Sequence, residues 1–260
     1  MRSDYPEVFQ DPAVVDKYQH HVYAPDSYAT AVNQRQRRYL RDLVKRSFLV
    51  RRPVQHDFAC GTGRAIRILH GLVRAAHGYD SSEAMLTKAA EVGAYASLHR
   101  VDPAGPVPEP VPSTGPVIVT VFRTLLNADE STRDRAVAFA ARILSHWESG
   151  LLVVENHGNR SSLRHLRHRR HAGQPWFDEL SHAQVTALLA RHGFQVVERR
   201  GFALLTRGWH ARRGTRWFAR LVDGLTSRLP WLGRWAVDVL YVARRTHPAQ
   251  PAAAAGPPTT

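Results

Sequence analysis

The sequence predicts an α/β protein built on an open, doubly wound, mostly parallel sheet with helices on both faces. Three observations carry that prediction. From Val54 onward, short apolar runs alternate five times with helical patterns. Two of these runs, Val117–Phe122 and Leu151–Glu155, are almost uninterrupted, as strands covered on both faces must be. Between the first strand and the next helix lies a turn of small residues, Ala59–Gly63, at the edge where such sheets bind ligands.

The elements follow in order. Residues 1–50 read as a helical lead-in. Val32, Tyr39, Leu40, Leu43 and Val44 recur at helical spacing from about Tyr28, and Pro25 and Asp26 suit a turn before them. Pro53 ends that pattern and Val54–Ala59 reads as a strand. Then come a helix over 64–71, a strand over 73–79, a helix over 82–92 with Ser82 as its N-cap, and a strand over 96–101. Residues 103–116 contain six prolines and can be neither helix nor central strand. Beyond the strand at 117–122 the pattern predicts a helix over 132–147, a strand over 151–155 and a helix over 181–192. Ser181 caps that last helix and Gly193 stops it. Strands over 195–205 and 236–244 flank a basic, aromatic stretch at 209–235 that is helical in parts. The expected organisation is a lead-in at 1–50, one domain over 51–245, and a tail at 246–260 too poor in core-forming residues to order.

Composition excludes several classes. Of 260 residues, 43% are hydrophobic, enough to fill a core and to exclude wholesale disorder. One cysteine excludes a disulfide framework and a cysteine-cluster zinc site, and no metal is expected. The start MRSDYPEVFQD lacks an apolar run, so no signal peptide is expected. No uncharged apolar stretch is long enough to span a bilayer. A cytoplasmic protein is the expectation. Net charge is +14, from 36 basic and 22 acidic residues, and all basic residues but Lys17, Lys45 and Lys88 are arginine. That skew permits an anionic partner without establishing one.

The stretch from Val54 to Arg64 carries the chemistry. Its small residues let the backbone approach a ligand, and the following helix points free N–H groups into the same space. Gly61 and Gly63 fit the first two positions of a dinucleotide fingerprint, but the third is Ile66, and no Lys-Ser or Lys-Thr pair marks a phosphate loop. Asp57, at the strand end, would repel a pyrophosphate and suits a ligand with an ammonium group. Asp80 stands 23 residues further on, at the end of the next strand, where an acid can accept two hydrogen bonds from a ribose diol.

DFACGTGR, GYDSSEAML, the pair Val101-Asp102 and VIVTVFRTLLN, in that order, resemble the motifs of class I S-adenosylmethionine-dependent methyltransferases over roughly residues 54–160. The resemblance implies a Rossmann-like sheet of seven strands ending in an antiparallel hairpin, with S-adenosylmethionine as cofactor. It also implies roles. Ala59, Cys60, Gly61, Thr62 and Gly63 would line the methionine moiety, with Asp57 and Arg64 near its amino and carboxylate groups. Asp80 would hold the ribose, and Ser81 and Met85 would flank the adenine. Asp102 would face the adenine amino group, with Pro103 beside it. Phe122 and Arg123 would close the pocket next to the sulfonium. The lead-in would fold over the cofactor as a lid, offering Tyr18, Tyr23 and Tyr28 as contacts. Ala59 departs from the glycine many members carry. Cys60 reads as a small turn residue and not a nucleophile, and Met85 could equally be core packing.

A hydroxyl acceptor needs a base, an amine only to arrive neutral. His157 follows the strand 151–155 in a polar run and is the candidate base; it could instead hydrogen-bond its own loop, and His20 and His21 are rivals. Arg123 could orient a substrate anion or the cofactor carboxylate, or form a structural ion pair. The arginine-rich runs 160–171 and 199–245, the second interleaved with Trp209, Trp217, Phe218, Trp231 and Trp235, fit a helical insert capping the acceptor pocket. They also fit nucleic acid, an anionic membrane surface or an acidic substrate. Nucleic-acid base methylation is disfavoured, since Phe122-Arg-Thr-Leu-Leu-Asn127 lacks the Pro-Pro-aromatic run of that subclass. The expected activity is methyl transfer to a small molecule, at a hydroxyl of a secondary metabolite or sugar. An N-methyltransferase, or an RNA-binding or membrane-peripheral protein on the same fold, is the alternative. The small molecule could be anionic or lipid-linked.

Overall fold

A computed structural model describes residues 9–22, 27–144, 150–168, 178–205, 207–226 and 229–246. The helices are α1 (Pro12–Val22), α2 (Tyr28–Ser47), α3 (Arg64–Leu69), α4 (Glu83–Glu91), α5 (Glu130–Leu144), α6 (Leu163–His168), α7 (His182–Arg191), α8 (Arg207–Ala211), α9 (Arg213–Thr226) and α10 (Pro230–Gly233). The strands are β1 (Val54–Phe58), β2 (Ala75–Asp80), β3 (Ser97–Arg100), β4 (Val117–Val121), β5 (Leu151–Asn156), β6 (Phe194–Phe202) and β7 (Asp238–Arg245). They form one seven-stranded sheet in the order β3-β2-β1-β4-β5-β7-β6. The first five strands are parallel, and β7 runs antiparallel between β5 and β6. This is the doubly wound sheet that the sequence pattern predicts, with the terminal antiparallel hairpin that the resemblance implies.

Alternation along each central strand sends neighbouring side chains to opposite faces. Val117, Val119 and Val121 of β4 join Leu152 and Val154 of β5 against Phe139 and Val137 of α5 and Leu189 of α7. Ile118, Leu151 and Val153 point the other way, onto Leu40 and Leu43 of α2 and Ile68 and Leu69 of α3. Every residue of β1, β4 and β5 is buried. A third cluster, including Ile66, Leu86 and Ala89, seats α4 beside β2.

Caps set where the helices begin. Ser82 Oγ accepts from the Met85 N–H at 3.1 Å, as its position in the sequence predicts. Ser181 forms a full capping box with Gln184. Ser27 caps α2 by accepting from the Thr30 N–H. Pro25 and Asp26, expected at that turn, lie outside the described residues, as do the end of the helix predicted to Trp147 and the tail beyond Thr246. Strand β6 stops at Phe202, three residues short of prediction. There the backbone turns through Ala203 (φ +61), and the Leu204 and Leu205 N–H groups leave the sheet to donate to Asp223. Among the described residues no helix is long and apolar enough to cross a membrane.

Candidate functional site

The carboxyl ends of β1, β2, β4 and β5 open on one edge of the sheet, and the polar groups collect there. In the turn after β1, three residues within five have left-handed backbone: Ala59 (φ +54), Gly61 (φ +53) and Gly63 (φ +72). Glycine adopts that conformation freely, and Ala59 is held in it against the usual preference. The Gly61 N–H donates to Asp80 Oδ2 at 2.7 Å, and the Ser82 N–H donates to Oδ1 at 2.9 Å. Asp80 therefore ties the turn to the end of β2. The Ser81 N–H adds a third backbone bond, which still leaves the carboxylate accepting capacity for a ligand hydroxyl.

Asp57 is fully buried at the end of β1. Gln55 Nε2 donates to Thr120 Oγ1, and that hydroxyl donates to Asp57 Oδ1 at 2.5 Å. Burial pushes the Asp57 carboxyl up to about 7, against the pull of the Thr120 bond and with help from the nearby Asp80 charge. A cation brought beside Asp57 would favour its charged form. Asp80 is also raised by burial. Two desolvated acids flanking a left-handed turn suit a ligand with both an ammonium group and a diol.

The other expected residues fall around this turn. Met85 is buried, with its sulfur 3.9 Å from where a Gly61 Cβ would stand. Ser81 and Ser82 hold the lead-in: Gln10 Nε2 donates to the Ser81 carbonyl, and Ser82 Oγ to the Phe9 carbonyl. Lys88 of α4 pairs with Asp16 of α1 at 2.5 Å. The start of the described chain thus rests on α4 beside the Asp80 end. Tyr18 and the pair His20 and His21 belong to α1, but their side chains, like all of Tyr23, lie outside the described residues. Asp102 is exposed two residues past β3, its carboxylate accepting from the Ala104 N–H, with Pro103 exposed beside it. Cys60 packs its thiol toward Gly78, and burial raises its pKa. That is the environment of an inert core thiol. Thr62 is buried at the turn.

Arg64 sits differently from expectation. Its Nε donates to Asn33 Oδ1 at 3.0 Å, one terminal nitrogen pairs with Glu155 Oε2 at 2.9 Å, and the other donates to Gln36. Gln36 in turn donates to Glu155 Oε1 at 2.8 Å. All three guanidinium nitrogens are engaged by the chain itself, and the group stacks 5.6 Å above the Phe122 ring. Burial alone would raise the Glu155 carboxyl, but Arg64, Arg123, His157 and the Gln36 amide together hold it down at about 2.

Beyond this pair lies a second buried polar group, assembled from β4, β5, β7 and α2. Arg123 follows β4 with φ +57. Asp238 opens β7 and lies one step past the Asn156–Val239 pair in register, level with His157. Tyr28, at the start of α2, donates its hydroxyl to Asp238 Oδ2 at 3.4 Å. Burial first, then the Glu155 charge, push Asp238 up to about 7. Burial and the Arg123 charge lower His157 to about 3, so the imidazole is neutral. Its Nδ1 is buried without a hydrogen-bond partner. Arg164 donates to Glu179 at 2.9 Å and to the His157 carbonyl. Asp238, Glu155, Gln36 and Asn33 were not singled out from the sequence as site residues. The available signal was a lone acid in each of two apolar strands, LLVVEN and DVLYVA. Among the described residues no group of three or more histidine, cysteine or acidic side chains could hold a metal.

No family model and no curated relative matches the chain. Solved structures do. Magnesium protoporphyrin IX methyltransferase from Synechocystis PCC 6803, with bound SAH, is 13% identical; the match covers 91% of this chain and 100% of that one, with a TM-score of 0.56. An S-adenosylmethionine-dependent methyltransferase from Clostridium acetobutylicum ATCC 824 is 10% identical over 90% and 98% of the two chains, again at 0.56. The [4+2]-cyclase SpnF is 19% identical over 84% and 82%, at 0.53. At these identities the likeness concerns fold, and one fold hosts several chemistries.

Proposed function

We propose that this chain, which has the class I S-adenosylmethionine-dependent methyltransferase fold, moves a methyl group from S-adenosylmethionine to a hydroxyl of a small-molecule acceptor. One observation carries the proposal: Asp57 and Asp80 flank the left-handed turn, and a second cluster of buried polar side chains lies alongside. Asp57 suits the amino group of the cofactor and Asp80 its ribose, with Ser81, Met85, Asp102 and Pro103 around the base and Phe122 and Arg123 toward the sulfur. Arg64 is left to join the turn to the second polar cluster through Glu155. When bound, the cofactor supplies a methyl group on a positively charged sulfur. The protein contributes alignment and water exclusion, effects worth up to about 7–11 kcal/mol in favourable cases.

The acceptor's proton has two candidate destinations. His157 is neutral, with a buried Nδ1 open to accept. Asp238 has the basicity better matched to neutral pH, and Tyr28 orients it. The second base is favoured on those grounds, with His157 left to position the hydroxyl. Transfer of labelled methyl to a panel of hydroxylated acceptors tests this. Asp238→Asn is expected to lower turnover about 100- to 10,000-fold, and His157→Ala by less, both with unchanged SAH affinity. Full turnover by Asp238→Asn returns the base to His157. Methylation of amines alone would replace hydroxyl transfer with the N-methyl alternative. A secondary metabolite or sugar, free or lipid-linked, remains the proposed acceptor class, and the cytoplasm the proposed compartment.

A further inference from the structure

The helices after β6 turn an apolar face outward. In α9 the buried side chains are Ala219, Asp223 and Thr226, while Trp217, Phe218, Leu221 and Leu225 face solvent. Their i, i+1, i+4, i+8 spacing makes a single stripe. The Trp209 ring of α8 lies 6.2 Å from the Phe218 ring, and Trp231 of α10 is exposed as well. The exposure is large: 66% for Trp217, 62% for Trp231 and 54% for Leu221.

Buried charge fixes this orientation. Asp223 accepts from the Leu204 and Leu205 N–H groups at 2.8 and 3.3 Å. It lies 2.8 Å from His210 Nε2 and 3.7 Å from an Arg35 nitrogen. Rolling α9 to hide its tryptophan would break all of these at once. The exposed stripe is therefore a built surface.

Its rim identifies the partner. Between Arg207 and Val237 the sequence holds one acid, Asp223, and it is the buried one. Arg212, Arg220 and Arg234 are exposed around the stripe. Tryptophan and leucine set among exposed arginines match the headgroup zone of an anionic bilayer. There indoles sit at the interface, leucines reach acyl chains and guanidinium groups meet phosphates. A second copy fits poorly, because a two-fold contact would set the arginine rim against itself. Single-stranded nucleic acid could stack on the indoles but offers Leu221 and Leu225 no apolar surface. We propose that α8–α10 form a docking face for anionic phospholipid membranes. This does not depend on methyl transfer. The Tyr28 ring meets the His210 ring edge-on at 5.2 Å, which places the face beside the acceptor half of the site.

Sedimentation of the full chain with sucrose-loaded vesicles tests the proposal without cofactor. Vesicles containing about one-third phosphatidylglycerol in phosphatidylcholine are expected to bind at least roughly tenfold more tightly than phosphatidylcholine alone. The double variant Trp217→Ser/Leu221→Ser should weaken that binding roughly tenfold or more while its thermal melt is unchanged, since both side chains face solvent. Three results would overturn the proposal: no binding to the mixed vesicles, equal binding by variant and wild type, or a patch that mediates dimerisation or oligouridine binding while vesicles go uncaptured.

Discussion

Glu155→Ala is expected to lower stability by about 3–5 kcal/mol, the usual cost of stranding one partner of a buried ion pair. The change leaves the Arg64 guanidinium in a site with almost no solvent and removes the acceptor of the Gln36 amide. For a domain of this size the melting temperature should fall by roughly 6–20 °C. Replacing the buried polar group as a unit, as in Gln36→Leu/Arg64→Met/Glu155→Leu, should recover most of the loss, because an apolar set of similar volume strands no partner of the pair. The Glu155 carboxyl lies below its unfolded value, so the unfolded chain takes up its proton first as pH falls. The wild-type contribution is complete above pH about 4.5 and disappears on the way down to about 2. Thermal melts of the three proteins at neutral pH decide the matter. A triple variant no more stable than Glu155→Ala would show that the pair is not the source of the loss.

The second large effect is expected in the turn. At Gly63 (φ +72), a Cβ would stand 2.4 Å from the Ala94 Cβ, so backbone must move. At Gly61 (φ +53), the nearest atom is the Met85 sulfur at 3.9 Å. Gly61→Ala should therefore cost only left-handed strain, about 1–2 kcal/mol. Gly63→Ala adds overpacking to that strain, for a total of about 2–5 kcal/mol. The effects on ligand binding should run otherwise. Gly61→Ala places a methyl beside Met85 and weakens SAH binding in a chain that remains folded, whereas Gly63→Ala loses both together. Denaturant melts alongside ligand titration separate the two. Equal stability losses at both positions would contradict the geometry.

Much of the fold was legible because its signals are local. Strands such as Val117–Val121 are apolar runs, and Ser82 and Ser181 announce helix starts by residue type and spacing. The turn and the positions of Asp57 and Asp80 could be read the same way. The second polar cluster could not. Gln36 meets Glu155 across 119 residues and Tyr28 meets Asp238 across 210, and no spacing rule links such positions. Arg64 follows the turn as the resemblance requires, yet Asn33 and Gln36 from α2 and Glu155 from β5 occupy its side chain. The basic and aromatic character of 209–235 was visible, but not which side of α9 faces inward, because buried contacts of Asp223 decide that.

Isothermal titration of the folded chain with SAH tests the central claim most directly. The account predicts saturable one-to-one binding that Asp80→Ala weakens at least about tenfold, or about 1.4 kcal/mol. It also predicts no comparable heat with a nicotinamide dinucleotide. Folded protein that is silent toward SAH, or that binds the dinucleotide in its place, would contradict it.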